Sequence, residues 1–225
     1  MIDLKLQLFG GRGMKSLLID KKYLGDSKKI KVVSSRYYIK LDANSCSSLN
    51  NWEKEISTIK EEVIVGCDAS GKPISAYAGN GEIVEFPIFE AKKWSGGIVT
   101  HNHPKDFGGT FSQQDILTYT QYKYKEMRVV ANEGTYRLIA TERADYERLA
   151  ARMLEMESNL QNQMDKIFFA EYDKYSKRCE PKMSEREFEA YRRNKMCRVL
   201  HAFYKKHCIN YGFAYRFEKS KKHKS

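Results

Sequence analysis

Apolar residues recur along this chain with two periods, and the change of period divides it. Ile30 to Val33 and Tyr37 to Leu41 are rich in β-branched and aromatic side chains and read as extended. Leu49 to Lys60 places Trp52, Ile56 and Ile59 on one helical face, entered from Ser48. Alternation and turn residues then predict strands over 62–67 and 73–78, separated by Ser70-Gly71-Lys72. A Gly79-Asn80-Gly81 turn, a strand over 82–86, a short helix over 87–94 and a strand over 97–101 follow. A helix from Ser112 to about Lys125 precedes a hairpin of strands 127–132 and 135–141, joined at Glu133-Gly134. Strands interleaved with helices predict an α/β fold, a mixed sheet sandwiched by helices.

From Ala144 the period is helical. Tyr146, Leu149, Met153, Met156, Leu160 and Ile167 predict one long helix, broken at Cys179-Glu180-Pro181. Ser184-Glu185-Arg186-Glu187 is a capping box opening a second helix, with Phe188, Tyr191, Val199, Leu200 and Phe203 as its stripe. The expected organisation is a flexible leader over 1–14, a domain over 15–142, a basic C-terminal helical hairpin over 143–216 and a disordered tail over 217–225. That tail holds four lysines.

Composition narrows the class. An apolar fraction of 41%, with no run near the ~20 apolar residues of a membrane span, predicts a soluble chain without membrane contact. The N-terminal residues alternate and lack the apolar core of a signal peptide. Five cysteines, odd in number and scattered, predict a reducing, cytoplasmic setting rather than a disulfide framework. The net charge of +11 is uneven: residues 151–225 carry 18 Lys+Arg against 10 Asp+Glu. That excess suits contact with nucleic acid or an acidic protein surface, and equally a solvated helical face.

The chemistry concentrates in His101-Asn102-His103-Pro104 and Ser112-Gln113-Gln114-Asp115. Histidines two apart on a strand share a face, so both imidazoles reach one ion. Pro104 then ends the strand. Ser112 and Asp115, three apart, share a helix face. Taken alone, Ser112 and Asp115 are an N-cap and a first-turn acid. Together, His101, His103 and Asp115 make a three-ligand metal site with a fourth position open, the layout of a catalytic zinc centre.

These residues resemble the JAMM (JAB, or MPN-plus) metalloprotease family, whose pattern is an upstream Glu, then His-x-His, a short loop and Ser-x-x-Asp. The wording here is similar to RadC-like and phage-encoded members, with one departure: the loop from Pro104 to Phe111 is eight residues instead of seven. The likeness covers roughly residues 55–142. It implies a JAB/MPN-like fold with cytidine-deaminase-like layering and Zn2+ on His101, His103 and Asp115. It also implies an upstream glutamate that takes the proton from zinc-bound water, and Ser112 as a hydrogen-bond donor to the oxyanion. Glu62 is the expected base, with Glu61 as the alternative, since a one-residue slip exchanges the faces of a strand. Asn102, pointing away from the ligands, receives no role.

The implied reaction is amide or isopeptide hydrolysis of a protein or peptide substrate by a phage- or mobile-element-encoded hydrolase. Relatives that cut after Gly-Gly direct attention to Gly10-Gly11, where the leader itself is a candidate substrate-like tail. The competing expectation is a non-catalytic RadC-like module that contacts nucleic acid or virion proteins through residues 143–225. Its setting would be the host cytoplasm or a virion. A second metal cluster from Cys179, Cys197, His201, His207 and Cys208 matches no standard zinc spacing.

Overall fold

The structure, a computed structural model, describes residues 29–34, 38–79, 84–104, 109–156, 166 and 185–220. Among them, eight strands form one mixed sheet in the order β1-β2-β4-β3-β5-β6-β7-β8. The strands are β1 (Val32–Ser34), β2 (Ile39–Leu41), β3 (Val63–Cys67), β4 (Pro73–Ala78), β5 (Ile98–Asn102), β6 (Glu126–Ala131), β7 (Gly134–Ala140) and β8 (Phe213–Lys219). Neighbours pair antiparallel except β5 and β6, which run parallel. A parallel pair needs a crossover, and α3 (Gln113–Tyr122) supplies it.

Helices line both faces, so the sheet's central strands are buried on both sides. One face packs on α1 (Leu49–Ile56), which contributes Leu49, Trp52 and Ile56 beside Val63, Val65, Ile98 and Val130. Ser48 caps that helix, its hydroxyl accepting from the Asn51 N–H. The opposite face carries α2 (Ile88–Lys93), α3, α4 (residues 146–156) and α5 (Glu185–His207). Its core joins Trp94, Ile116, Tyr119, Leu149, Met153, Leu200 and Tyr204 to Ile64, Val99, Met127 and Val129. Gly66 of β3 is bare for a packing reason. The Trp94 indole fills the space a side chain would occupy there, and its Nε1 donates to Ser75 Oγ at 2.9 Å. Ser75 in turn donates to the buried Glu90 at 2.7 Å.

The elements from β3 to β7 follow the expected periods, and 30–42 divides into β1 and β2. No strand is formed over the described part of 82–86, residues 84–86, where Pro87 ends the extended run before α2. The largest difference lies at the C-terminus. After α5 and a 3-10 turn (Cys208–Tyr211), the chain returns to the sheet as β8. It pairs with β7 from Ala140↔Phe213 to Gly134↔Lys219. The expected helical appendage therefore adds an edge strand to the same sheet. Phe217, Glu218 and Lys219 belong to that strand rather than to a disordered tail. The physical reason is alternation: Phe213, Tyr215 and Phe217 share one face of β8, where Tyr215 meets Tyr204 and Phe217 meets Tyr136. The lysines that follow hide this period-2 signal. The leader over 1–14 with Gly10-Gly11, the Asn80-Gly81 turn, Cys179, the capping residue Ser184 and the tail over 221–225 lie outside the described residues. So does most of the span expected to complete the long helix of a hairpin.

Candidate metal centre

β5 delivers the two histidines. His101 occupies the α3 side of the sheet with Val99, while Thr100 and Asn102 turn to the α1 side. The ladder to β6 continues past the last strand residue, because the His103 N–H donates to Val130 O at 3.0 Å. That bond keeps His103 on the face of His101. The rings approach edge-on, and their Nε2 atoms lie 3.2 Å apart.

The third group comes from the start of α3. Ser112 is the N-cap, and a full capping box forms. The Asp115 N–H donates to Ser112 Oγ at 3.1 Å. In return Ser112 N–H and Oγ–H donate to Asp115 Oδ2 at 2.7 and 2.8 Å. The carboxylate is thus held from behind and turned to the histidines: Oδ1 lies 3.3 Å from His101 Nε2, and Oδ2 lies 3.6 Å from His103 Nε2.

The two Nε2 atoms thus lie 3.2 Å apart, and each faces a different oxygen of the one carboxylate, Oδ1 at 3.3 Å for His101 and Oδ2 at 3.6 Å for His103. A tetrahedral ion bound at 2.0–2.1 Å requires edges of about 3.3–3.4 Å. The nitrogen–nitrogen spacing is close to that value, one candidate ligand atom from each residue lies within 4.8 Å of the others, and His101, His103 and Asp115 could hold a metal ion. His101 is buried at 1% exposure, whereas His103 and Asp115 remain 12% and 16% exposed, leaving the cluster open on one side. One contact departs from usual metal-site construction. His101 Nδ1 is enclosed and has no hydrogen-bond partner among the described residues, where a ligand imidazole normally donates to an acceptor.

The electrostatics are mutually reinforcing. Burial pushes the Asp115 carboxyl up, but the charges and hydrogen bonds of His101 and His103 outweigh it, leaving it well below the usual carboxylate range. Burial pushes His101 down, but Asp115 and then the charge of Glu62 outweigh it and raise the imidazole above its ordinary value. The α3 N-terminus adds a favourable dipole for the carboxylate.

Glu61 and Glu62 immediately precede β3. Ile64 of β3 pairs with His101. The pairing ends there, and beyond it the charge of Glu62 still reaches His101. Glu62 is tied at its carbonyl, which accepts from Gly79 N–H at 2.7 Å. Ser112 stands differently from the expected oxyanion donor: in this structure its hydroxyl proton is directed to Asp115.

Two groups of residues matter to the site although sequence reasoning assigns them no part in it. Asn102, 1% exposed, accepts from Val63 N–H at 2.8 Å and donates to Ile59 O and Glu61 O at 3.3 and 3.0 Å. A buried polar residue must find such partners, and its place between the two histidines is the available signal. The second group holds the loop leading to Ser112. Thr110 Oγ1 and Tyr215 Oη are hydrogen-bonded at 2.7 Å, Tyr215 Oη and His201 Nδ1 at 2.8 Å, and Tyr204 donates to Phe111 O at 3.3 Å. No local pattern in the sequence announces these contacts, which cross from α5 and β8. Among the described residues, Cys197, His201, His207 and Cys208 form no metal-capable group. His201 is committed to Tyr215, His207 stacks on Phe203, and Cys208 is buried in the core. The one metal-capable cluster among the described residues is His101, His103 and Asp115.

The chain matches no protein-family model, no curated protein and no solved structure.

Proposed function

We propose that this chain is a zinc-dependent peptidase or isopeptidase of the JAMM type, with His101, His103 and Asp115 as ligands and Glu62 as the general base. The observation that carries the reading is the convergence of two imidazole nitrogens and one carboxylate at a partly exposed point, with the charge of Glu62 reaching His101. Histidine nitrogens and a carboxylate are a donor set suited to zinc, and three protein ligands are the catalytic pattern. A zinc ion held there would lower the pKa of water to about 7 and polarise a carbonyl.

The protein's own residues divide the remaining work. Glu62 accepts the proton of the attacking water and delivers it to the leaving amine. Ser112 holds Asp115 in the ligating orientation through two hydrogen bonds. To serve the oxyanion as well, its hydroxyl would turn from Asp115, and its exposed position leaves room for that rotation. The fold reading that accompanies this is JAB/MPN-like layering. The substrate proposed is a protein or peptide, including chains with a Gly-Gly end, in a host cytoplasm or a virion.

The test is zinc content followed by hydrolysis of isopeptide-linked Gly-Gly–Lys peptides. The expected result is one zinc per chain and turnover that falls at least ~100-fold in Glu62→Gln while zinc stays bound. Equal turnover in Glu62→Gln and the parent would refute the assignment of the base. Zinc-loaded protein inert on every peptide, yet binding nucleic acid with a steep salt dependence, would replace the hydrolase reading with the binding-module reading.

A further inference from the structure

Asn102 sits between the two histidine ligands in sequence and on the other side of the sheet in space. Its side chain reaches across to β3 and the segment before it. There its amide meets three backbone groups: the carbonyls of Ile59 and Glu61 and the N–H of Val63. Val63 N–H is where a regular β3–β5 ladder would continue beyond the Ile64↔His101 pair. The amide replaces that rung and fills the gap with its own acceptor and two donors. The bonded groups of Glu61 and Val63 belong to the residues on either side of Glu62. With Gly79 N–H on the Glu62 carbonyl, the backbone on both sides of Glu62 is fixed.

We infer that Asn102 is a positioning residue for Glu62. It clamps the backbone on both sides of the glutamate from the far face, so that the glutamate side chain is held toward His101 and His103. One short segment then sets both halves of the site: residues 101 and 103 present the ligands, and residue 102 sets the distance from them to the base. Burial supports a dedicated role, since Asn102 is enclosed against the apolar α1 face with Ile59, Val63 and Val130. An amide there is retained only where its donors and acceptor are satisfied. A valine would fill the same volume without a desolvation cost and would leave the three backbone groups unpaired. The functional half of this inference rests on the hydrolase reading; the structural half does not.

The experiment compares zinc-loaded parent, Asn102→Asp and Asn102→Ala by amide hydrogen exchange and by hydrolysis of the Gly-Gly–Lys isopeptide. Asn102→Asp keeps the acceptor for Val63 and loses both donors; Asn102→Ala loses all three bonds. The expected pattern is at least ~10-fold faster exchange at Val63 in Asn102→Ala, little change there in Asn102→Asp, and unchanged protection at Val99 and Val129 in both. Should Asn102→Ala fail to fold, Asn102→Ser, which keeps one hydroxyl, takes its place.

In hydrolysis, Asn102→Ala lowers kcat by about 10- to 100-fold with KM within about twofold, the size expected when a reacting group is misplaced by about 1 Å. In the Glu62→Gln background the same substitution changes the residual rate less than about twofold, because the group it acts through is gone. Equal loss of protection across β3, β5 and β6, or full additivity with Glu62→Gln, would overturn the inference and leave Asn102 an ordinary core residue. A parent that takes zinc but cleaves nothing, with the local exchange pattern intact, would refute the hydrolase reading and support the clamp.

Discussion

Loading the site with zinc is expected to stabilise the fold by an amount that one substitution abolishes. The two Nε2 atoms, 3.2 Å apart, are already near the ~3.3 Å of tetrahedral spacing, and the carboxylate keeps one oxygen within 3.6 Å of each. Little reorganisation opposes binding, and the ion binds the native state far better than the unfolded chain. At free zinc about 100 times the Kd the gain is about 2.7 kcal/mol. For a chain of this size that corresponds to a rise in Tm of roughly 5–11 °C. The assay is thermal unfolding after exhaustive chelation and gel filtration, with zinc titrated back at fixed protein concentration. His103→Ala leaves two ligands, and its zinc-dependent shift should fall below about 2 °C on the same scale. The shift should also shrink as pH falls. Burial lowers His101, but Asp115 more than compensates and raises it, so the free site keeps a proton to higher pH and that proton must leave before the nitrogen can bind metal. A flat Tm across the titration, or an equal shift in His103→Ala, would refute the preformed site.

Other outcomes follow from the same packing and charge. Ser112→Ala removes an N-cap, costing about 0.5–2 kcal/mol in urea unfolding, and releases Asp115 Oδ2 from its hydroxyl donor; zinc affinity measured by competition with a chelating dye should fall about 10- to 100-fold. Gly66→Ala drives a methyl into the Trp94 indole and should destabilise by roughly 1–3 kcal/mol, seen as a lower urea midpoint with the Trp94 fluorescence altered. Burial pushes Glu126 up, but hydrogen bonds from Arg137 and Arg128 prevail and hold it below the usual range. Its contribution is therefore present above the unfolded carboxylate value of about 4.3 and lost as pH falls through the lower folded value. Urea unfolding from about pH 6 to about pH 3 should show a shallower loss in Glu126→Gln than in the parent.

Much of the site is legible in the sequence because its parts are local. A His-x-His spacing on a strand fixes a shared face, and Ser-x-x-Asp at a helix start fixes a capping box; both hold before any tertiary contact forms. The strands 62–67, 73–78 and 97–101 and the closing hairpin are visible from alternation and turn residues for the same reason. Pairing between distant strands is not. That Ile64 lies opposite His101 is a register that either face pattern permits, because β3 is buried on both sides. Asn102 looks idle in the sequence because its partners lie about forty residues upstream.

Helical spacing and lysines dominate the C-terminal third, and on those alone it is a helical arm. Its fate turns on the edge of β7, whose unpaired groups β8 satisfies. That return carries Tyr215 onto Thr110 and so ties the end of the chain to the loop before Ser112. Ligand type and short-range spacing are properties of neighbours, so the order of residues is enough to say which of them are candidates to hold a metal ion. Convergence of His101, His103 and Asp115 and the anchoring of the loop between them come from the folded chain alone. Each depends on contacts closed across tens of residues, where no local preference operates.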